Sequence, residues 1–255
     1  ARKAGICYMS GYSLRFFVAQ RQVYDLLAAG GIGEIRAVTA GIGQGPLGDW
    51  FAKPETGGGA LLYLGSHLVD EVLWFIQDEP VQVYADVQHR PDTGTDETSA
   101  FQIRFAGGAI AQCLVTQAVE GWFDFVHIYG QAGRIGLASS NWLRYEISVS
   151  SRALPAYAEP TTICPGLRGD PLMMMLVPEI EEFAAAIRDH GKVVLAGELS
   201  RNRSELADQE SLLLAAPELR RAAAAWGLTM VPVDDDGVVR RIRHGIATPF
   251  GDKPS

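Results

Sequence analysis

A tyrosine, a histidine and an aspartate stand at helical spacing in the stretch GGGALLYLGSHLVDEVLWF, residues 57–75. Three glycines open this stretch, and glycine permits a close and irregular approach of the backbone. Apolar residues then recur every three or four positions, which predicts a helix entered from a glycine turn. On that helix Tyr63, His67 and Asp70 share one face, because residues three or four apart are neighbours on a helix surface.

A phenol, an imidazole and a carboxylate on one helix face could relay a proton. The unperturbed pKa of histidine lies nearest to neutrality among the side chains, so His67 is the predicted general acid or base. The alternative is structural, since a histidine on a half-apolar helix is often held by hydrogen bonds and takes no part in chemistry. The spacing leaves both interpretations open.

The composition suits a folded domain and argues against two kinds of partner. Of 255 residues 47% are hydrophobic, enough for a substantial core. The chain has 22 basic and 30 acidic residues and a net charge of −8, the wrong sign for gripping a phosphate backbone, so no nucleic-acid partner is expected. Neither a membrane-length apolar run nor the apolar core of a signal peptide is found. We therefore expect a soluble, cytoplasmic protein without a membrane partner.

Cysteines and acidic residues give no sign of a metal site. Cys7, Cys113 and Cys164 are widely spaced and odd in number, which indicates reduced thiols instead of a disulfide framework or a zinc site. Three adjacent aspartates, Asp234 to Asp236, precede a glycine and are typical of a solvated turn. A calcium loop would need alternating ligands that end in a glutamate. The sequence therefore predicts no metal.

The stretch at 57–75 resembles the central motif of the Gfo/Idh/MocA family of NAD(P)-dependent sugar and polyol dehydrogenases, where GGG-A-L-x-D-x-G-x-H carries the catalytic histidine. GYSLRF, LLAAGGIGEIRAV and DWFAKPETGGG precede it in the family order, and FAGGAIAQCLV and VHIYGQAGRIGL resemble strands of the family's second domain. The resemblance covers about residues 1–190. It implies that His67 is catalytic and that Tyr63 assists it, although the family position of Tyr63 is commonly aspartate.

The same resemblance implies further site residues. Tyr12, Arg15 and Asp70 become candidates for contact with the substrate, and Trp50 matches a family tryptophan that packs near the nicotinamide end of the cofactor. The residue after that tryptophan is commonly arginine in the family but is Phe51 here. For Arg15 the alternative is an ordinary ion pair that anchors the helix.

The predicted fold class is α+β, with an open, mainly antiparallel sheet covered by helices on one face. A helix over 18–29 and the strand EIRAVTAGI come first, and about six strands follow from Pro80. Phe101, Ile103 and Phe105 alternate with more polar residues, which indicates one buried face. We read His89 and His127, which lie in strand patterns, as structural. In the family the uncovered face builds the oligomer interface, so the resemblance implies a homodimer or homotetramer.

Three parts are predicted along the chain. Residues 1–16 would be a remnant of a truncated Rossmann domain that ends in the strand ICYMSG, residues 17–200 the substrate-binding and oligomerisation domain, and residues 201–255 a tail unlike the family. Residues 170–191 indicate a pair of helices, the second beginning at Pro178, with Met173 to Met175 filling the core. A further short helix is predicted over 217–227.

No G-x-G-x-x-G follows a strand anywhere in the sequence, so the dinucleotide-binding half is expected to be missing. The cofactor would be NAD or NADP in a full-length parent, and this chain alone is expected to bind neither tightly. The first hypothesis is that the chain is part of an oxidoreductase that interconverts a secondary alcohol and a ketone on a sugar, polyol or related small molecule. The alternative is a non-catalytic protein that binds a small ligand or dimerises, having lost its cofactor domain.

Overall fold

A computed structural model describes residues 10–54, 58–141, 144–166, 169–190, 194–203, 208–213 and 225–228. The chain divides into two compact units, residues 12–177 and residues 1–11 together with 178–255. The larger unit holds an eight-stranded sheet in the order β2-β3-β4-β1-β5-β6-β7-β8. Its strands are β1 (Ile35–Gly43), β2 (Pro80–His89), β3 (Asp96–Phe105), β4 (Ile110–Thr116), β5 (Phe123–Gly130), β6 (Gly133–Ser139), β7 (Glu146–Ser151) and β8 (Thr161–Ile163).

Strand β1 lies in the middle of this sheet and pairs in parallel with β4. Every other pairing in the sheet is antiparallel. The predicted α+β class and mainly antiparallel sheet are thereby confirmed, with eight strands where the strand EIRAVTAGI and about six later strands were expected. Short β8 was missed, because three residues are too few to show alternation.

One face of the sheet is buried, as the alternation of apolar residues predicts. In β3 the exposed fractions of Phe101, Ile103 and Phe105 are 9%, 4% and 1%, and in β5 Val126 and Ile128 are fully buried. Side chains between them point to the opposite, open face. The core is therefore a single layer between the sheet and the helices that cover it.

Two helices pack on the buried face of the sheet. Helix α1 (Val18–Ala28) follows a 3-10 turn at Ser13–Phe16, and α2 (Ser66–Ile76) follows a π-helical turn at Leu61–Gly65. Both helices contribute to the core with residues that repeat at helical spacing, as expected for amphipathic helices. Their fully buried apolar side chains include Val23, Leu68 and Val72.

Helix α2 carries His67 and is called the motif helix below. It ends at a residue whose backbone adopts the left-handed conformation. Gln77 follows α2 with φ 53° and ψ 38°, and its backbone N–H donates to the carbonyl of Leu73. A residue in this conformation satisfies a terminal carbonyl and turns the chain away from the helix axis. The chain then enters β2 at the edge of the sheet.

Helix α3 (Pro171–His190) is continuous, with Pro178 in its interior. The prediction of two helices with the second beginning at Pro178 is wrong. Proline usually ends a helix because it lacks an N–H and crowds the preceding turn, but its fixed φ remains helical, so the chain continues. The methionines also differ from the prediction, since Met175 is buried while Met173 is 49% exposed.

The described part of the smaller unit contains a three-stranded sheet. Its strands are β9 (Val194–Arg203), β10 (Asp208–Leu213) and β11 (Ala225–Leu228), with β9 antiparallel to β10 and parallel to β11. The predicted helix over 217–227 is wrong for residues 225–227, where pairing with β9 overrides local helix propensity. The strand ICYMSG up to Met9, Cys7 and the turn Asp234 to Asp236 lie outside the described residues.

Candidate active site

The glycine turn before the motif helix is held closely by two other segments. Gly59 has φ 130°, a conformation that side chains rarely adopt, and a Cβ built on it would overlap the carboxylate of Asp96. The same carboxylate accepts a hydrogen bond of 2.6 Å from the backbone N–H of Leu61. The N–H of Gly59 donates to the carbonyl of Phe51 at 3.0 Å. The close backbone approach predicted from the glycines is therefore present, and it fixes where the helix begins.

Tyr63 lies within the π-helical turn and follows Leu62, whose side chain is exposed. A π turn holds more residues than an α-helical turn and is frequent at functional sites. The sequence predicts a regular helix here, because hydrophobic spacing does not separate the two forms. The ring of Tyr63 packs edge-on against Phe51, with centroids 4.6 Å apart.

A cavity of about 400 Å³ opens beside the motif helix within the larger unit. This volume lies within the usual range of small-molecule sites. Tyr63 and His67 both line it, so two of the predicted site residues meet at one cavity. The described lining residues are Ser13, Leu14, Phe17, Ile42, Gln44, Tyr63, Leu64, His67, Trp122, Tyr145, Leu172 and Met175.

The imidazole of His67 is half-buried, and its two nitrogens lie in different surroundings. Nδ1 is enclosed and has no hydrogen-bond partner among the described residues, whereas Nε2 is not enclosed in this way. The ring of Tyr12 approaches edge-on, with centroids 6.0 Å apart. Nε2 is therefore the atom of His67 that can exchange a proton with a bound molecule.

Burial lowers the pKa of His67 below its ordinary value, and the nearby Asp70 carboxylate raises it to a smaller extent. Charging the ring would require water that the surrounding core excludes. His67 is consequently neutral at neutral pH. A neutral imidazole can accept a proton from an alcohol, which is the role of a general base.

Arg15 and Asp70 form a bidentate ion pair. Arg15 Nε donates to Asp70 Oδ2 at 2.7 Å, and Arg15 Nη2 donates to Asp70 Oδ1 at 2.5 Å. The guanidinium also lies 5.7 Å from the centre of the Trp74 ring. The pair ties the turn Ser13–Phe16 to α2, as the ion-pair interpretation of Arg15 describes. Contact of either residue with substrate stays a prediction.

A second group of polar side chains is buried under the cavity. None of its members was predicted from the sequence as a site residue. Glu71 and Asp124 are each 2% exposed and Gln20 is fully buried, while Tyr145 is 4% exposed and donates a 2.5 Å hydrogen bond to Asp124 Oδ2. A signal was available, since Glu71 interrupts the apolar stripe of α2 and Asp124 alternates with Val126 in β5. Charged residues at core positions are rare unless they are paired.

Burial changes the ionisation of this group. It raises the pKa of Asp124 to about 6, although the hydrogen bond from Tyr145 works in the opposite direction. Burial also raises the pKa of Glu71 well above its ordinary value, and the negative charge of Asp124 adds to that effect. Two carboxyls that repel each other in a dry core ionise in separate steps. Burial and mutual repulsion therefore both disfavour the state in which Glu71 and Asp124 are charged together.

Residues 20–136 match the model of the GFO/IDH/MocA C-terminal domain. This stretch is similar to the Gfo/Idh/MocA C-terminal domain. The match covers the motif helix, the cavity residues it carries and strands β1 to β5. The family resemblance found in the motifs is confirmed.

The relatives of this chain are oxidoreductases. Trans-1,2-dihydrobenzene-1,2-diol dehydrogenase of Danio rerio is 32% identical over 144 residues, which are 56% of this chain and 42% of that protein. dTDP-3,4-didehydro-2,6-dideoxy-alpha-D-glucose 3-reductase of Actinomadura kijaniata is 27% identical over 217 residues, which are 80% and 58%. The chain thus spans about half the length of the curated relatives it matches.

Solved structures show the same fold. A levoglucosan dehydrogenase in complex with NADH superposes with a TM-score of 0.62 at 18% identity, over 76% of this chain and 60% of that one. GenD2 from gentamicin A biosynthesis, in complex with NAD, gives a TM-score of 0.59 at 23% identity, over 76% and 57%. These likenesses concern the fold alone.

The remaining residues singled out in the sequence lie in different surroundings. Trp50 belongs to the 3-10 turn Asp49–Ala52, but its side chain lies outside the described part, so its cofactor contact stays a prediction. Phe51, at the position where the family commonly has arginine, packs against Tyr63. His89 is exposed on β2, and His127 packs against Phe125 on the open face.

The described residues contain neither a metal-binding cluster nor a membrane-crossing helix. Within the described ranges, no three side chains of His, Cys, Asp or Glu come together as a metal-binding group. None of the helices in these ranges has the length and apolar character needed to cross a membrane. Cys113 is buried, which raises the pKa of its thiol to about 12.

Proposed function

We propose that this chain is the substrate-binding and oligomerisation part of an NAD(P)-dependent oxidoreductase that interconverts a secondary alcohol and a ketone on a sugar, polyol or related small molecule. The observation that carries this proposal is the position of His67, a neutral imidazole with Nε2 available at a cavity of substrate size. The cofactor would accept or supply the hydride, and His67 would accept the hydroxyl proton or return it.

The ion pair of Arg15 and Asp70 supports this role of His67. A free carboxylate beside the imidazole would stabilise its charged form and raise its pKa. Because Asp70 is bonded twice to Arg15, much of its charge is compensated and burial dominates. In this proposal Tyr63 is auxiliary and donates a hydrogen bond to the substrate, since a phenol does not supply the carboxylate that the family commonly has there.

The dinucleotide would be held mainly by a part of the parent protein other than this chain. A pyrophosphate binds to the backbone N–H groups of a glycine loop at a helix N-terminus. At the N-terminus of the motif helix, the Asp96 carboxylate already accepts the N–H of Leu61. A carboxylate at that position repels a phosphate, so this glycine turn serves the helix and not the cofactor.

Replacing His67 with asparagine in the full-length protein tests the proposal. Asparagine keeps much of the size and a hydrogen-bond donor but cannot take the proton, so kcat should fall by roughly 10²–10⁴. Tyr63→Phe removes one hydroxyl and should cost less. His89→Asn is a matched control, because His89 is exposed on β2 away from the cavity lining. Near-normal turnover and an unchanged pH profile for His67→Asn would refute the assignment, whereas absence of turnover in the full-length wild type would favour the non-catalytic alternative.

Self-association through the open face of the sheet is a separate part of the proposal. Phe123, Phe125, His127 and Tyr129 follow one another along that face of β5, with neighbouring rings 6.2 and 5.3 Å apart for the first three. Leu114 and Tyr84 are also exposed. Contiguous exposed apolar surface commonly marks an interface. A homodimer or homotetramer would cover it.

A further inference from the structure

Glu71 lies one helical turn beyond His67 on the motif helix, and its carboxyl group is buried. Residues four apart are neighbours on a helix surface, so the two side chains project from the same side of the helix. Glu71 Oε1 is enclosed and has no hydrogen-bond partner among the described residues. The proposed reaction makes no use of this carboxyl group, although burying one costs free energy unless it is paired.

The neighbours of Glu71 supply a second carboxyl group and no cation. Asp124, on β5, lies close enough to Glu71 for electrostatic repulsion. Gln20 of α1 lies on another side of Glu71, but an amide carries no charge. Asp70, the adjacent carboxylate on the helix, is already bonded to Arg15. None of the ion pairs between described residues includes Glu71 or Asp124.

Two carboxyl groups without a cation do not both stay charged in a dry core. Moving an unpaired ion from water into such a core is costly, so at least one of the two keeps a proton near neutral pH. When two such groups interact, the proton belongs to the pair and not to either residue. A protonated carboxyl can donate a hydrogen bond, so a singly protonated pair attracts where a doubly charged pair repels.

The pair is joined to the cavity at two points. Glu71 belongs to the helix that carries His67, and Asp124 accepts a hydrogen bond of 2.5 Å from the hydroxyl of Tyr145, the remaining titratable group that faces the pair. Tyr145 lines the cavity and packs edge-on against Phe17, another lining residue, with ring centroids 5.5 Å apart. Attraction within the pair therefore draws the motif helix toward the strand that holds Tyr145.

We propose, resting on the proposed function, that Glu71 is a positioning residue: Glu71 and Asp124 share one proton, and this pair holds the motif helix so that His67 Nε2 faces the cavity. Neither carboxyl group is among the described lining residues, so the pair acts through His67 and Tyr145 and not on the substrate. The shared proton stays within the pair while His67 takes up or returns the proton of the substrate.

Three variants of the 255-residue chain test this by NMR titration of the His67 ring. Glu71→Gln is neutral and can still donate to Asp124, so His67 should keep the lowered pKa of the wild type. Glu71→Leu is of similar size but cannot donate. The helix turn should then loosen and admit water, and the pKa of His67 should rise toward its ordinary value. Glu79→Leu, at an exposed position just beyond the helix, is the control and should change nothing.

Rescue by glutamine separates positioning from packing. If Glu71 only fills space, leucine should serve as well as glutamine, and a wild-type pKa of His67 in Glu71→Leu would overturn the proposal. An equal rise in both variants would overturn it too, because glutamine retains the hydrogen bond. Denaturant unfolding of each variant shows whether a raised pKa comes from the helix turn or from a general loss of stability, which would also count against the proposal.

The wild type and Glu71→Gln give a second test that does not depend on the leucine variant. At a pH high enough to remove the shared proton, the wild type holds two repelling charges, whereas Glu71→Gln still holds one. The resonances of the neutral His67 ring should therefore shift again in the wild type and stay constant in Glu71→Gln. Identical behaviour of the two proteins would refute the shared proton.

In the full-length protein, a displaced base should slow the chemical step. Glu71→Leu should lower kcat roughly tenfold or more, and Glu71→Gln should restore it. Unchanged turnover in Glu71→Leu would contradict the positioning role. The NMR titrations measure no turnover, so an inactive full-length wild type would count against the proposed function alone, while the titrations would still decide whether the pair positions His67.

Discussion

Replacing Asp124 with asparagine should remove a large part of the pH dependence of this protein's stability. Asp124 is 2% exposed and its pKa is raised from 3.8 to about 6 by burial. Between these two values the folded protein holds a proton that the unfolded chain has released. The free energy of unfolding therefore falls as the pH rises from about 4 to about 6, and it is not regained at higher pH.

The size of the effect follows from the difference between the two pKa values. The difference between 3.8 and about 6, at about 1.4 kcal/mol for each pH unit, corresponds to a loss of about 3 kcal/mol between acid and neutral pH. Asparagine cannot ionise and its side-chain oxygen can still accept the hydrogen bond from Tyr145. The variant should therefore gain about 3 kcal/mol relative to the wild type as the pH is raised across this window.

Denaturant unfolding of both proteins at several pH values between about 4 and 8 measures this difference. Asp86→Asn is the control, because it makes the same chemical change at an exposed position on β2. Glu71 is present in both proteins, and without the charge at position 124 its own proton is lost more easily. A constant difference between wild type and Asp124→Asn would refute the idea that a buried carboxyl ionises in this range.

Three further outcomes are expected. In Arg15→Met the carboxylate beside the motif histidine loses its cation, so the pKa of His67 should rise in an NMR titration; an unchanged or lower value would contradict the coupling. Gly59→Ala should lower the free energy of unfolding by more than about 1 kcal/mol in thermal unfolding, because φ is 130° and the new Cβ overlaps Asp96. Phe125→Lys on the open face should yield a monomer in sedimentation velocity, and a variant that still associates would exclude this face.

Local patterns were sufficient for the sheet and for the helix that carries His67. Alternation located β1 to β7 to within a few residues, and glycine spacing marked the turn at Gly59, because both signals arise from neighbours in the chain. The family motif placed His67, and the structure shows it at a cavity together with Tyr63. Whether either residue reacts was not accessible from the pattern.

Contacts between distant segments were not predictable in the same way. Asp70 binds Arg15, and Glu71 comes close enough to Asp124 for electrostatic repulsion, only after the helix has packed on the sheet. The sequence showed each carboxylate but not which would be compensated and which would remain in the dry core. The helix boundary predicted at Pro178 was wrong for a related reason. Residues on both sides of Pro178 belong to one helix, although proline locally favours a helix end.

The central position of β1 has a consequence for how the domain is made. Ala37 pairs with Ile110 in β4, and Val38 pairs with Ile128 in β5. Strand β1 therefore pairs with strands that are distant from it in the sequence. Such non-local pairing slows folding. During synthesis β1 leaves the ribosome long before β5 exists, and its apolar residues stay uncovered meanwhile. The domain should therefore fold more slowly than a protein of the same size built from hairpins alone.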